Sequence, residues 1–220
     1  MSSEPPVPEA FVRANTAIGR PPLVPEIRLH LATQVTPLWQ ATEASLARFG
    51  TPAPFWAFAW AGGQALARYI FDHPETVAGQ SVLDLASGSG MVAIAAAKAG
   101  ASQVTAADID PFAAAAIALN AALNGVSVGI ETRDLLERGP AGWGVVTAGD
   151  VCYEEPMASR IIALLRRIAA RGRLALLGDP GRAYLPREGL IELARYVVPV
   201  SRELEDREAK EGVVFEVLAE

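Results

Sequence analysis

The sequence predicts an α/β fold built on a mostly parallel sheet with helices on both faces. Short apolar runs alternate with Ala- and Leu-rich stretches, a pattern that builds strand–helix–strand units. One run, Val82-Leu83-Asp84-Leu85-Ala86, passes into Ser87-Gly88-Ser89-Gly90 and then into a helical stretch, Met91 to Ala99. The predicted strands end at Gly88, Asp108, Asp134, Asp150 and Asp179. Those are the carboxyl ends, outside which an open α/β sheet binds its ligands.

In chain order, residues 1–25 hold Pro5, Pro6, Pro8, Pro21, Pro22 and Pro25 and read as a flexible Pro-rich arm, mobile or wrapped on the surface. A short helix fits Phe11 to Ile18 between the proline clusters. Residues 26–220 read as a single domain with a cofactor half (55–150) and a substrate-side half (150–220). Glu26 to Thr33 alternates polar and apolar residues as a half-buried strand does, with His30 on its solvated face. Three of the four tryptophans, Trp39, Trp56 and Trp60, precede the glycine turn. Trp56, Phe58 and Trp60 alternate, which gives an extended segment one aromatic face. A helix follows, Gln64 to Phe71.

Beyond the glycine turn, Gln103 to Ala107 is a strand. Asp110-Pro111 then opens a helix, Asp as N-cap and Pro at the first helical position, and Gly125 suits its C-terminal cap. Strands are expected at 126–131, 145–148 and 174–177, with a helix over 157–171 that gathers Arg166, Arg167 and Arg171 near its negative end. A tight turn spans Gly178 to Arg182. Residues 190–196 read as a helix. Residues 197–202 and 212–218 read as paired strands joined by a charged loop.

Composition narrows the function classes. The formal net charge is −6, which opposes tight nonspecific binding to nucleic acid. Cys152 is the only cysteine, so no intrachain disulfide forms and a reducing compartment is expected. No long uninterrupted apolar run suggests a membrane span, and the first residues do not read as a secretory signal. No His, Cys and acid cluster has metal-ligand spacing, so no metal is expected.

Two small-molecule cofactors suit the glycine turn. Gly88-x-Gly90-x-x-Ala93 matches the dinucleotide pattern, and Asp108 lies twenty residues past Gly88, where a ribose-binding acid is expected. S-adenosylmethionine carries a ribose too, so Asp108 does not choose between them. Asp84 leans toward S-adenosylmethionine, because an acid there faces an ammonium and repels a pyrophosphate. Its alternative is a local turn cap, although a carboxylate in an apolar strand is costly without a partner.

From about residue 55 onward, Asp84, Gly88-x-Gly90, Asp108 and Asp134-Leu135 in that order resemble the seven-strand S-adenosylmethionine-dependent methyltransferases (class I, Rossmann-like). Asp150-Val151-Cys152-Tyr153 resembles the D-x-x-Y signature of protein lysine methyltransferases within that class. The stretch Pro54 to Leu66 and Asp179-Pro180-Gly181-Arg182 resemble those that act on the electron transfer flavoprotein beta subunit. The resemblance implies a seven-stranded sheet and methyl transfer from S-adenosylmethionine to lysine, leaving S-adenosylhomocysteine. It assigns cofactor contacts to Trp60, Gly62, Asp84, Ala86, Gly88, Ser89, Gly90, Asp108, Ile109, Asp134, Leu135 and Asp150. Asp150 and Tyr153 would border the acceptor lysine, with Trp56, Glu154, Asp179 and Arg182 on the substrate side.

Each assignment has an ordinary structural alternative: core packing for an aromatic, helix N-terminal charge for Glu154 and Glu155, an ion pair pinning a turn for Asp179 and Arg182. Cys152 reads as a quiet buried thiol. The expected setting is a cytoplasmic monomer with a protein substrate and neither nucleic acid nor membrane. Rival readings are another methyl acceptor (a ribosomal protein or a small amine), an NAD-dependent oxidoreductase, and a non-catalytic cofactor-binding module. The oxidoreductase would need a second mononucleotide-binding half and a proton donor, neither of which is found.

Overall fold

The elements run α1 (Pro8–Asn15), β1 (Ala17–Gly19), β2 (Leu29–Leu31), α2 (Ala61–Asp72), β3 (Ser81–Leu85), α3 (Met91–Lys98), β4 (Gln103–Ala107), α4 (Pro111–Asn124), β5 (Gly129–Glu131), β6 (Val145–Gly149), α5 (Met157–Ala169), β7 (Leu174–Asp179), β8 (Leu190–Pro199) and β9 (Ala209–Val217). A computed structural model describes residues 7–32, 53–136, 142–200 and 208–219. Trp39 and most of the charged 203–211 loop lie outside the described residues.

Seven strands form one sheet in the order β5-β4-β3-β6-β7-β9-β8. The first five in that order are parallel, and β9 is antiparallel to both β7 and β8. The strand order reverses direction at β3, which has β4 on one side and β6 on the other. That switch point opens a crevice above the carboxyl ends of β3 and β4.

Both faces of the sheet are covered, which is why the strands read as nearly continuous apolar runs. Val82 packs with α2 and α3, around Leu66, Ile70, Val92 and Ile94. Its neighbours Leu83 and Leu85 pack on the opposite face with Ile161, Leu164 and Leu165 of α5. Successive side chains of a strand point to opposite faces, so Asp84 shares the face of Val82. The α4 caps follow local chemistry: Asp110 accepts a hydrogen bond from the Phe112 N–H at 2.8 Å, and Gly125 takes the left-handed conformation at the other end.

Several expectations change. Of the two readings of the proline-rich arm, mobile or wrapped on the surface, the described part from residue 7 onward is the packed one. Its helix is α1, earlier than residues 11–18. Val12 is buried among Trp56 and Phe112, and Val24, Ile27 and Leu29 join the core beneath α2 and α3. Gln64 Oε1 accepts from the Leu23 N–H at 3.1 Å, and Asn120 Oδ1 accepts from the His30 N–H at 2.7 Å. Of the strand predicted over 26–33, only β2 forms, pairing with β1. His30 is half-buried rather than solvated, with Nδ1 3.0 Å from Thr16 Oγ1, and burial lowers its pKa. The aromatic segment is not extended: Phe55–Ala57 makes a 3₁₀ turn. Finally, residues 190–196 are strand, the first part of β8, because they pair with β9.

Candidate active site

The turn after β3 starts from a buried carboxylate. Asp84 is 1% exposed and lies in register opposite Thr147 of β6. Thr147 Oγ1 donates to Asp84 Oδ1 at 2.8 Å, and Ser87 Oγ donates to Oδ2. Burial pushes the Asp84 pKa up to about 6 despite these donors. The chain then turns through positive φ at Ala86 (47°), Gly88 (54°) and Gly90 (80°). Ala86 holds a conformation that a Cβ disfavours, so this turn is strained where it meets the crevice.

Asp108, past the end of β4, ties this turn to the next strand. Its carboxylate accepts from the Gly88 N–H at 2.9 Å and from the Asp110 N–H at 3.0 Å. Burial raises Asp108 and pushes Asp110 up to about 6. Three carboxyls are thus gathered here, all held by uncharged donors.

A different arrangement stands at the ends of β6 and β7. Asp150 follows β6 with φ of 60°, also left-handed. Its N–H donates to Gly178 O at 2.8 Å, the Gly62 N–H donates to its Oδ2 at 2.7 Å, and Arg182 Nε donates to its Oδ1 at 2.6 Å. Gly62 must be glycine, since a Cβ there would lie 2.4 Å from Gly178 O. Asp179 Oδ1 accepts from the Gly181 and Arg182 N–H groups, both at 2.7 Å, which fixes the turn that launches Arg182. The Arg182 guanidinium sits 5.7 Å from the Trp60 ring centroid, and Phe55 lies 5.2 Å from Tyr153. Burial pushes both the Tyr153 phenol and the Cys152 thiol up to about 12, so both stay protonated.

A cavity of about 760 Å³ joins these two regions. Of the expected residues, it brings together Asp84, Ala86, Gly88, Ser89, Asp108, Ile109 and Asp134 with Trp56, Trp60, Asp150, Tyr153, Glu154 and Arg182. The aromatic wall thus exists, built by a 3₁₀ turn in place of a strand. Four expected residues are absent from the lining. Gly62 faces Gly178, and Gly63 borders the cavity in its place. Gly90 packs on Ile117 of α4. Leu135 borders a separate recess of about 340 Å³ along β5, and Leu136 faces the main cavity. Asp179 is fully buried, its Oδ2 without a hydrogen-bond partner. Its side chain pins the turn and does not line the cavity. Glu155 also stays local, accepting from the Ser159 N–H at 3.2 Å near the start of α5.

Sequence reasoning missed Thr147, Ser87, Asp110, Gly63, Phe55 and Leu136. Thr147 had a signal: it is the polar residue inside Val145-Val146-Thr147-Ala148, next to a strand whose buried acid needs a donor.

Among the described residues, the cations on the cavity wall are Arg133, Arg160 and Arg182, paired with Glu131 (2.5 Å), Asp134 (2.8 Å) and Asp150 (2.6 Å). Acids therefore dominate near the glycine turn, a poor seat for a pyrophosphate and a good one for a cation. Among the described residues no group of His, Cys, Asp and Glu could hold a metal ion.

Comparison with known proteins shows the family. The family model of ribosomal protein L11 methyltransferases matches residues 65–171. The electron transfer flavoprotein beta subunit lysine methyltransferase of Xenopus laevis is 41% identical over 178 residues, 80% of this chain and 71% of the relative. Its counterpart from Mus musculus is 36% identical over 215 residues, 94% and 83% of the two chains. The crystal structure of magnesium protoporphyrin IX methyltransferase from Synechocystis with bound S-adenosylhomocysteine shares the fold, at a TM-score of 0.52 and 17% identity over 71% of this chain and 81% of that one. On sequence extent, fold and an acid-lined glycine turn together, the chain belongs to the electron transfer flavoprotein beta subunit lysine methyltransferase family.

Proposed function

We propose that this chain transfers methyl groups from S-adenosylmethionine to lysine side chains of the electron transfer flavoprotein beta subunit. The observation that carries the proposal is the single cavity joining the glycine turn to Asp150, Tyr153 and Glu154. The names of the relatives support the acceptor.

The residues fit the cofactor. Asp84 and its uncharged donors leave a negative charge for the ammonium of the methionine part. Asp108 stands where ribose hydroxyls would donate to it. Ile109 leaves 71% of its surface exposed at the cavity, an apolar shelf for adenine opposite Leu136, with Asp134 alongside. When bound, S-adenosylmethionine supplies an electrophilic methyl group on a sulfonium.

The acceptor nitrogen must bring a lone pair, so its ammonium proton would first leave to solvent. With the cofactor bound, the nitrogen would then bond to the methyl carbon as the carbon–sulfur bond breaks, with S-adenosylhomocysteine as the leaving group. A free lysine has a pKa of about 10.4, and the desolvated channel lowers it by disfavouring the charged form. Phe55, Trp60 and Tyr153 offer ring faces to the aliphatic stem. Tyr153 keeps its hydroxyl proton and can hydrogen-bond the amine. Asp150 is pinned on both oxygens and orients the amine without moving. Proximity and alignment then supply most of the acceleration.

The reading places the reaction in the cytoplasm, on a monomer, without nucleic acid or membrane. The net charge of −6 speaks against nucleic acid, and the single cysteine suits a reducing compartment. Among the described residues no helix is long and apolar enough to cross a membrane.

The test is transfer of radiolabelled methyl to recombinant electron transfer flavoprotein and to a whole-cell extract, with Asp150→Ala in parallel. Label on the beta subunit, reduced on the order of 100-fold in the variant, is expected. Label only on another protein, for example a ribosomal one, would keep the chemistry and overturn the acceptor.

A further inference from the structure

We infer that Arg182 is a positioning residue for methyl transfer: it clamps Asp150 and offsets its negative charge, so that the carboxylate beside the acceptor amine does not hold that amine in its charged, unreactive form. The inference rests on the proposed lysine acceptor.

The geometry is a clamp. The Arg182 and Asp150 side chains are only 18% and 4% exposed, so their 2.6 Å pair is largely removed from water. The second carboxylate oxygen is held by the Gly62 N–H, and the Asp150 backbone is held by Gly178. Among the described residues, Arg182 is itself held by Asp179 and Trp60. Its N–H is bonded to Asp179, and its guanidinium lies against Trp60. Both members of the pair line the cavity beside Tyr153.

An unpaired carboxylate at this point would retain lysine as an ammonium, which has no lone pair. A carboxylate joined to a guanidinium is close to neutral overall. It still offers lone pairs to an amine N–H but no longer rewards a proton on the nitrogen. A guanidinium suits this role because it stays charged at any working pH. Among the described residues, the neighbouring ionisable groups do not undo it. Burial raises Asp179, behind the pair, toward its neutral form, and Cys152 and Tyr153 remain protonated. Glu154 is exposed at the cavity edge, where water screens it, and Asp108 belongs to the glycine-turn region. Glu154 thus suits attraction of the lysine from outside, and Arg182 suits loss of its proton inside.

The experiment measures initial methyl-transfer rates of the full chain on recombinant flavoprotein from about pH 6 to 10, at saturating S-adenosylmethionine. The wild-type rate should rise with pH to a plateau as the acceptor loses its proton. Arg182→Gln should move that limb up by about one pH unit, a loss of about tenfold near neutrality that closes at high pH. Arg182→Lys retains the charge and should keep the wild-type limb, with a lower plateau from the lost fork. Asp150→Asn should move the limb the opposite way.

Binding of S-adenosylhomocysteine reports folding of each variant. Should Arg182→Gln not bind it, Arg182→Lys decides: a wild-type limb supports the inference and a limb shifted upward overturns it. Equal loss at every pH in Arg182→Gln, with the limb unmoved, would reduce Arg182 to a packing role. If wild type labels some other protein and not the flavoprotein, the acceptor proposal fails, and the same profiles on that labelled protein decide Arg182. Absence of label on any protein overturns both.

Discussion

The two ends of the cavity use the same side chain in opposite ways. At the ends of β3 and β4, Asp84 and Asp108 are held by hydroxyls and backbone N–H groups, so their negative charge remains. At the ends of β6 and β7, Asp150 is held by a guanidinium, so its charge is offset. The first arrangement suits a ligand ammonium that keeps its charge. The second suits a ligand that must lose its charge before it reacts. An aspartate at a strand end is therefore defined by its donor, and the donors come from distant parts of the chain.

Gly62→Ala tests how rigid the second end must be. A Cβ at residue 62 would stand 2.4 Å from the Gly178 carbonyl, which is backbone and cannot rotate away. Helix α2 must then lift off β7 and carry the Gly62 N–H away from Asp150. The expected cost is about 3 kcal/mol of stability, read as a fall of about 10 °C in thermal unfolding. Transfer activity should fall further than S-adenosylhomocysteine affinity, since the lost hydrogen bond belongs to the acceptor end. An equal fall in both would dissolve the distinction between the two ends.

Asp84→Asn tests the first end, and its pH dependence has a definite sign. Burial raises Asp84 from 3.8 to about 6 in the folded chain. The folded state therefore binds this proton more tightly than the unfolded one. Ionised Asp84 costs stability above about pH 6, and the cost is relieved as pH falls from about 6 toward 4. The asparagine variant should melt above wild type at about pH 8, with the gap closing near pH 4. Ligand affinity runs the other way, because the ammonium needs the carboxylate ionised. Wild-type affinity for S-adenosylhomocysteine should drop about tenfold between about pH 7.5 and 5, whereas the variant is weak and nearly flat. A residual slope belongs to Asp110, also pushed up to about 6. Unchanged affinity in the variant at neutral pH would remove Asp84 from the cofactor site.

What was legible follows from how far each determinant reaches along the chain. The glycine turn, the Asp110-Pro111 cap and the Gly125 stop depend on neighbours within a few residues, and their boundaries agree with the structure. Strand β8 was misread because Leu190, Leu193 and Tyr196 recur at helical spacing, among Glu, Ala and Arg that favour helix. Its pairing with β9 outweighs those local preferences, and the register shift between Glu192 and Ala194 breaks the alternation that would have marked a strand. The ion pair weighed as the structural alternative for Asp179 and Arg182 is a backbone clasp. The guanidinium instead reaches Asp150, 32 residues away, a choice set only once β6 and β7 lie side by side. Gly63 replaces Gly62, and Leu136 replaces Leu135, for a similar reason: adjacent residues face different ways, and only the packed structure decides which faces the cavity.

Ile109→Ala separates two contacts within the first end and should have the smallest effect. Ile109 is 71% exposed, so truncating it leaves no cavity in the core, and thermal stability should not change. If its side chain covers adenine, the variant loses roughly 1 kcal/mol of apolar contact, a weakening of about fivefold. The choice of ligand makes the result discriminating. Methylthioadenosine keeps the adenine and ribose but lacks the ammonium. Ile109→Ala should weaken methylthioadenosine and S-adenosylhomocysteine by the same factor. Asp84→Asn should weaken only S-adenosylhomocysteine, because only that ligand brings the cation its carboxylate faces. The reverse pattern would mean that the ligand lies the other way round, with its charged end over Ile109 and its base against the β3 turn.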